Sequence, residues 1–140
     1  HVSHNVRVGP NVTITTAAQL GGHVVVGRHA VLGSGALLHQ YVRVGAFAMF
    51  GAASAANQDV LPFSMARGNP VRHYRLNGVG LKRNGIVGER YAALERALRF
   101  VRRRDLGALE ELASTSADAR ELLEFLAGSR RGVARFVSGG

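Results

Sequence analysis

Residues 20–56, LGGHVVVGRHAVLGSGALLHQYVRVGAFAMFGAASAA, contain the pattern that decides the fold. An α-helix would place apolar residues three and four apart, and a hairpin strand would show simple alternation, but this stretch shows a six-residue period. The period extends back to the start of the chain, where an apolar residue stands at every sixth position: Val2, Val8, Ile14, Leu20, Val26, Leu32, Leu38, Val44, Phe50 and Ala56. Four residues after each of these comes a small or β-branched residue: Val6, Val12, Ala18, Val24, Ala30, Ala36, Val42, Ala48, Ser54 and Val60.

A short strand and a turn, repeated every six residues, form one flat side of a prism, and three such sides make a coil of 18 residues. Small residues fit the tight inner corners, aliphatic residues fill the interior, and each coil buries its apolar edge only against its neighbours. The sequence therefore predicts an all-β solenoid of parallel coils over residues 1–62. Because the chain begins at His1, inside a repeat, we expect further coils upstream.

The six-residue period stops after Pro62, and two further segments follow. Residues 63–85 are rich in turn-forming residues and are predicted to form an extended loop. Residues 86–140 are predicted to form an α-helical domain, which begins with an amphipathic helix from about Gly88 to Arg104. Ser116 is a candidate N-cap and Gly128 a candidate stop for a later helix. A short helix between the amphipathic helix and this later one is indicated by Leu106, Leu109 and Leu112.

The composition limits the possible functions. The chain has no cysteine, which excludes a disulfide framework, a thiol nucleophile and a thiolate metal site. No apolar run approaches the roughly 18 to 20 residues that span a bilayer, so we expect a soluble chain without an integral membrane segment. The formal charge of +9 is uneven: residues 1–71 carry 4 − 1 = +3, and residues 72–140 carry 14 − 8 = +6. Such a field favours an acidic partner.

The 18-residue coil also predicts where polar side chains meet. Residues 18 apart should lie above one another at the strand spacing of about 4.8 Å. Most side chains capable of proton chemistry then fall on one edge of the prism, whereas His29 and His73 fall off it and are expected to be surface residues or inter-subunit packing residues. The three adjacent columns of this edge are Ser3, Gly21, His39 and Asn57; His4, Gly22, Gln40 and Gln58; and Asn5, His23, Tyr41 and Asp59.

At these residues the sequence resembles the UDP-N-acetylglucosamine O-acyltransferases of lipid A biosynthesis, a family of hexapeptide-repeat proteins. The similarity extends over nearly the whole chain, in order, and corresponds to the C-terminal part of that family. It implies a left-handed parallel β-helix followed by a C-terminal α-helical domain. The handedness of the coils is inferred from this resemblance and not from the six-residue period. The segments that carry it are His1–His4, Leu20–Val24, Leu38–Tyr41, Asn57–Val60, Arg67–Asn69 and Asn77–Arg83.

The resemblance also implies an activity, partners and site residues. In such an enzyme His4 is the general base that takes the proton from the sugar 3-hydroxyl, and the Gly22 N–H binds the oxyanion. Ala52 lies beside the groove for the acyl chain. The acyl donor is the phosphopantetheine thioester of acyl carrier protein, so no cofactor or metal is expected, and the sites lie between the subunits of a homotrimer. Substrate-binding roles are implied for His1, His23, His39, Gln40, Asn77 and Arg83.

Two residues depart from the family pattern, and several alternatives remain open. Val79 stands where the family often has an acidic residue and Asn84 where it has a second Arg, which predicts fewer or rearranged nucleotide contacts. A non-catalytic or truncated trimeric β-helix scaffold is one alternative, and a related N-acyltransferase is another. A zinc site between subunits would need histidines in register, but His23 and His39 are 16 residues apart. Nucleic-acid binding is not expected, because the arginines lack interleaved aromatic residues.

Overall fold

The computed structural model describes residues 1–138 of the chain. Nine two-residue strands follow one another at six-residue intervals, and a β-hairpin and four helices come after them. Their order is β1 Arg7–Val8, β2 Thr13–Ile14, β3 Gln19–Leu20, β4 Val25–Val26, β5 Val31–Leu32, β6 Leu37–Leu38, β7 Arg43–Val44, β8 Met49–Phe50, β9 Ala55–Ala56, β10 Ser64–Gly68, β11 Val71–Leu76, α1 Gly78–Arg83, α2 Gly88–Arg102, α3 Leu106–Ala113 and α4 Ala117–Ala127.

The strands stack into three parallel sheets, one on each side of a prism. Their orders are β1-β4-β7, β3-β6-β9 and β2-β5-β8-β10-β11, the last pair of the third sheet being antiparallel. Arg7 pairs with Val25 and Val25 with Arg43, so that 25 − 7 = 43 − 25 = 18 residues complete one coil. The predicted parallel β-helix and its 18-residue coil are confirmed over these strands.

The interior is filled as the period predicts. The large apolar residues Leu20, Leu32, Leu38 and Phe50 are at most 1% exposed, and the small residues between them are equally buried. Burying such a side chain contributes roughly 1.5 to 3 kcal/mol, so the interior column supplies most of the stability of the coils. Val2, Val8 and Ile14, in the first coil of the chain, are the exposed members of the series.

Each corner of the prism is a two-residue turn whose second residue has positive φ. Such residues recur every six positions and include Asn5, His23 and Tyr41. A non-glycine residue in this conformation is strained, and the repeated cross-coil hydrogen bonds and packing hold it in place. The glycines that follow the large apolar residues have a different role. A Cβ at Gly27 or Gly33 would lie 2.5 Å from a backbone nitrogen of the next coil, so only glycine allows this approach.

The last coil is shorter than the sequence predicts. Val60 pairs with Val44 and Ala66 with Phe50, a separation of 60 − 44 = 66 − 50 = 16 residues. The assignment of Val60 to the column of small residues was therefore wrong. The physical reason lies at Asp59, whose carboxylate accepts the Arg43 N–H at 2.9 Å and takes the place of a backbone carbonyl of the regular coil.

The segment 63–85, predicted as an extended loop, instead forms the β10–β11 hairpin and helix α1. Strand β10 adds to β8 in parallel, so the hairpin continues one side of the prism. The turn residues Asn69 and Pro70 dominated the sequence pattern, but they only connect two strands. Strand β11 alternates the buried Val71 and His73 with the partly exposed Arg72.

The predicted helices are confirmed as α2, α3 and α4. The Ser116 hydroxyl accepts the Ala119 N–H at 3.1 Å, and Gly128 is the C-cap of α4, as expected. The helices pack their apolar faces on Phe47 and Phe63 of the coils. Two bidentate ion pairs reinforce this packing, Arg28 with Glu121 and Arg90 with Asp118, and each carboxylate raises the pKa of the guanidinium that it binds.

The tail after α4 returns to the β-helix. Val133 forms a bridge with Asp59, and Phe136 forms one with His73. His73 is completely buried: its Nε2 accepts the Leu61 N–H at 2.9 Å, which makes Nδ1 the protonated nitrogen that donates to the Ala134 carbonyl at 2.9 Å. Burial lowers the pKa of His73 to about 4.

His29 stacks on Phe47 at 4.8 Å, so His29 and His73 both have packing roles. The predicted helical domain runs to Gly140, and its last two residues lie outside the described part. Within residues 1–138, no helix combines the length and the apolarity that a bilayer crossing requires.

Candidate active site

Three successive coils bring the predicted site residues to one corner of the prism, which we call the histidine corner and define as residues 4–5, 22–23 and 40–41. The His23 N–H donates to the His4 carbonyl at 3.4 Å, and the Tyr41 N–H donates to the Gly22 carbonyl at 3.0 Å. His4, Gly22 and Gln40 are thus the first turn residues of successive coils. The column ends there, because the Asp59 N–H donates to Gly132 of the tail instead of continuing the turn.

The expected place of Asp59 above Tyr41, at the exposed edge, was wrong. Its side chain is 1% exposed and bonds to Arg43 and to the Ser129 hydroxyl, the latter at 2.7 Å. Asp59 therefore anchors the end of the β-helix to the tail and is not available to a substrate.

The predicted substrate-binding residues of the histidine corner lie on both of its sides. On the side of sheet β3-β6-β9, a shallow depression of about 270 Å³ is lined by His1, His39 and Gln40 among others. On the side of sheet β1-β4-β7, His23 and Tyr41 line a second cavity of about 450 Å³. The rings of His23 and Tyr41 are stacked, with centroids 4.7 Å apart and planes within 2°. His4 lies on the corner between these two concave surfaces and is exposed.

Gly22 differs from the structural glycines of the coils. A Cβ at Gly21 would lie 2.7 Å from the Gln40 nitrogen, whereas a Cβ at Gly22 would meet only the His4 carbonyl oxygen at 3.7 Å. Packing therefore requires glycine at position 21 but not at position 22. Within residues 1–138 the Gly22 N–H has no hydrogen-bond acceptor, so it is free to donate to a ligand. The Arg28 N–H at another corner is also free, so a free N–H alone does not set Gly22 apart. Gly22 differs from Arg28 because it has no side chain and lies beside His4.

The remaining predicted site residues lie at other corners of the same chain. Asn77 caps helix α1, where its Oδ1 accepts the Gly80 N–H at 3.2 Å and its Nδ2 donates to the Phe47 carbonyl at 2.9 Å. Arg83 is exposed in the last turn of α1. Ala52 is an exposed turn residue of the third corner. A single chain therefore does not bring Asn77, Arg83 or Ala52 together with His4.

Several residues beside the histidine corner were missed at the sequence level. The cavity next to His23 is also lined by Arg43, Arg130 and Arg131. The tail that carries Arg130 and Arg131 has no apolar period, and the adjacent pair of arginines was the available signal. A larger cavity, of about 690 Å³, lies among the helices and the tail. Size alone therefore does not locate the site that the histidines indicate.

Metal-binding groups are not assembled in the described part of the chain. Across residues 1–138, no three His, Asp or Glu side chains come close enough together to hold a metal ion. His23 and His39 line different cavities on opposite sides of the corner.

Comparisons with known proteins agree with this architecture. The family described as Udp N-acetylglucosamine O-acyltransferase, Domain 2, matches residues 59–134. The acyl-[acyl-carrier-protein]–UDP-N-acetylglucosamine O-acyltransferase of Burkholderia orbicola is 38% identical over 96% of this chain and 55% of its own length. The chain thus spans about half the length of the curated relatives it matches.

Solved structures give the same result. The UDP-N-acetylglucosamine O-acyltransferase of Moraxella catarrhalis matches with a TM-score of 0.90 and 30% identity, over 96% of this chain and 55% of that one. The UDP-N-acetylglucosamine acyltransferase of Francisella novicida, at 24% identity, has the same fold with a TM-score of 0.92 over 98% of this chain and 53% of its own. The predicted left-handed parallel β-helix with a C-terminal helical domain is thereby confirmed. The chain belongs to the UDP-N-acetylglucosamine O-acyltransferase family, of which it represents the C-terminal part.

Proposed function

We propose that the protein of which this chain is part transfers an acyl group, such as a 3-hydroxyacyl group, from acyl carrier protein to the 3-hydroxyl of UDP-N-acetylglucosamine. This is the first step of lipid A biosynthesis, and we place it in the cytoplasm. Membership of the family supports the reaction class. The observation that carries the proposal is the arrangement at the histidine corner, where the exposed His4 lies one coil below the free N–H of Gly22.

The proposed mechanism uses these two groups in sequence. His4, as the neutral imidazole, accepts the proton of the sugar 3-hydroxyl while the oxygen attacks the thioester carbonyl. The Gly22 N–H donates to the oxyanion of the tetrahedral intermediate. Collapse of this intermediate breaks the carbon–sulfur bond, and the phosphopantetheine thiolate takes the proton from the imidazolium. The thioester supplies the activation, so the proposal includes no metal and no redox cofactor.

The distribution of the other residues supports a site shared between subunits. His1, His39 and Gln40 line one of the two concave surfaces beside the histidine corner and His23 lines the other, and these residues would orient the sugar and the acyl donor. Asn77, Arg83 and Ala52 lie at other corners of the coil, so their proposed roles require a second copy of the chain. We therefore propose a homotrimer. In it, Arg83 of one subunit would approach the nucleotide diphosphate held at the histidine corner of the next, and Ala52 would line the acyl groove.

Acyl carrier protein is the proposed macromolecular partner. Residues 72–140 carry a net charge of 14 − 8 = +6, and the exposed residues Arg103 and Arg104 directly follow helix α2. An acidic carrier would be attracted to this surface, and its encounter rate would fall with ionic strength. The nucleotide sugar should depend less on this surface, because its proposed contacts lie at the coils and at α1.

The decisive experiment is an acyl-transfer assay on the full-length protein with His4→Ala and a matched control, His29→Gln. His29 stacks on Phe47 away from the histidine corner, so its loss removes an imidazole without touching the proposed base. We expect His4→Ala to lower kcat by about 10²- to 10⁴-fold and the control to change it little. Equal turnover of His4→Ala and the wild type would refute the assigned base.

Two alternatives give different outcomes in the same preparation. A non-catalytic scaffold would show no turnover and no heat of binding with UDP-N-acetylglucosamine. An N-acyltransferase would form an amide, which survives mild alkali, whereas the proposed ester is hydrolysed. An alkali-labile product therefore separates the proposed reaction from both alternatives.

A further inference from the structure

The cavity beside His23 contains two arginines to which the proposed mechanism gives no task. We call it the arginine cavity and define it by the lining residues His23, Tyr41, Arg43, Asp59, Arg130 and Arg131. Its volume of about 450 Å³ lies within the range of small-molecule sites. Because His23 belongs to the histidine corner, the cavity is continuous with the proposed active site.

Two of the charged groups in this cavity, Arg43 and Asp59, form an ion pair with each other and further hydrogen bonds within the chain. The Asp59 carboxylate accepts from the Arg43 backbone N–H at 2.9 Å, from Arg43 Nε at 3.3 Å and from Ser129 at 2.7 Å. The Arg43 guanidinium also donates to the Phe125 carbonyl at 2.6 Å. Its central carbon lies 4.0 Å from the centroid of the Phe125 ring. Their charges compensate each other, so this pair has a structural role.

Arg130 and Arg131 remain as an uncompensated pair of positive charges. Both are exposed, and in the part of the chain that the structure describes neither forms an ion pair. Arg131 uses only its Nε, which donates to the Asn57 carbonyl at 2.6 Å, so its terminal nitrogens stay available. Two adjacent guanidiniums provide the charge and the paired donors that phosphate oxygens require.

The backbone that carries this pair is held on both sides. Ser129 is bonded to the buried Asp59, and the Asp59 N–H donates to the Gly132 carbonyl at 2.8 Å. Arg130 and Arg131 therefore stand on a short segment fixed to the end of the β-helix. A segment held in this way loses little conformational freedom when it binds a ligand, which favours affinity.

We propose that the arginine cavity is a phosphate-ester subsite, in which Arg130 and Arg131 are positioning residues that hold one substrate beside His23. The stacked rings of His23 and Tyr41 line the same cavity, and the group attached to the phosphate packs against them. This inference rests on the proposed function, because both proposed substrates carry phosphate esters. One source is the diphosphate of the nucleotide sugar, and the other is the phosphodiester of the carrier's phosphopantetheine arm.

The test uses the full-length protein with Arg130→Ala, Arg130→Lys and Arg131→Ala. Arg67→Ala is the matched control, because Arg67 is exposed, carries the same charge and lies outside both the cavity and the proposed carrier-binding surface. Calorimetry with UDP and, separately, with 4′-phosphopantetheine measures binding, and steady-state kinetics gives KM for each substrate. Thermal unfolding checks Arg131→Ala, which also loses the bond to Asn57.

We expect Arg130→Ala and Arg131→Ala to raise the Kd of one probe, and the KM of the matching substrate, by about 10-fold or more. The Arg130→Lys variant should recover part of the affinity, kcat should stay nearly unchanged, and the other probe should bind normally. A shift for UDP identifies the nucleotide diphosphate as the occupant, and a shift for 4′-phosphopantetheine identifies the donor arm.

The result that overturns the subsite is a wild-type protein that binds neither probe, or variants that bind both probes as Arg67→Ala does. The subsite and the proposed function fail separately. Normal ester formation with unaffected alanine variants removes the subsite and leaves the function in place. Arginine-dependent binding of a probe without ester formation leaves the subsite and removes the function.

Discussion

Gly21 and Gly22 are adjacent glycines with different reasons to be glycine, and exchanging each for alanine separates structure from function. The Cβ of Gly21→Ala would lie 2.7 Å from the Gln40 nitrogen and 3.1 Å from the Leu38 oxygen, both backbone atoms of the next coil. The Cβ of Gly22→Ala would have one neighbour, the His4 oxygen, at an ordinary contact distance of 3.7 Å. Only the first substitution forces coils apart.

The magnitudes follow from these contacts. Overpacking against backbone costs roughly 1 to 3 kcal/mol, and Gly21→Ala should lower the free energy of unfolding by that amount. Gly22→Ala should leave it unchanged or raise it by up to about 1 kcal/mol, because alanine restricts the unfolded chain. The same methyl group stands next to the proposed oxyanion donor. Displacing the substrate from one such donor should lower kcat by up to about 10²-fold.

Two measurements on the full-length protein decide the matter. Urea unfolding gives the free energy of unfolding for both variants, and acyl transfer from acyl carrier protein gives kcat. The expected result is a destabilised Gly21→Ala and a normally folded but slow Gly22→Ala. A Gly22→Ala variant with wild-type kcat would refute the oxyanion role, and a Gly21→Ala variant as stable as the wild type would refute the packing argument.

Three further predictions concern pH, helix capping and salt. Burial lowers the pKa of His73 to about 4, below its ordinary 6.5, so the unfolded chain binds a proton that the folded one does not. The free energy of unfolding should therefore fall as pH drops from 6.5 towards 4, by about 3 kcal/mol in total. Urea titrations at pH 7 and pH 5 should show a smaller loss of this free energy in His73→Asn than in the wild type. Ser116→Ala removes the side-chain cap of α4 and should cost about 1 kcal/mol in the same assay, whereas Ser138→Ala, outside any helix, should cost nothing measurable. Raising the salt concentration should raise the KM for acyl carrier protein more steeply than the KM for UDP-N-acetylglucosamine, and an equal effect on both would contradict the docking proposal.

Local patterns were sufficient for most of the fold. The six-residue period predicted the coils because each side chain of a coil faces in or out according to its place in the repeat. The helices α2 to α4 were also predicted from local patterns. For α4, Ser116 and Gly128 define the two ends through local hydrogen bonds. The column of His4, Gly22 and Gln40 followed from the same periodicity.

The features that were missed depend on partners far away in the sequence. The coil shortens at Asp59 because this carboxylate meets Arg43 and Ser129, the latter 70 residues away. The β10–β11 hairpin was not predicted because the burial of His73 depends on two distant residues. The Leu61 N–H and the Ala134 carbonyl form the hydrogen bonds with its two ring nitrogens. No periodic pattern records such contacts.

The candidate site was predicted only in part for a related reason. The sequence placed the histidines on one edge, but it did not show that they divide between two sides of a corner. Arg130 and Arg131 lie in a tail without a periodic pattern, and only its return to Asp59 brings them beside His23. The place of Arg83 relative to His4 depends on a second chain, which no pattern within one chain encodes.

The most direct test of the account is the position of the sugar in a crystal structure of the full-length protein with UDP-N-acetylglucosamine. The account predicts the 3-hydroxyl oxygen within hydrogen-bond reach of a His4 ring nitrogen, at about 2.6 to 3.2 Å, with the Gly22 N–H open towards the incoming acyl group. A sugar bound away from residues 4–5, 22–23 and 40–41, or one whose 3-hydroxyl faces away from His4, would contradict it.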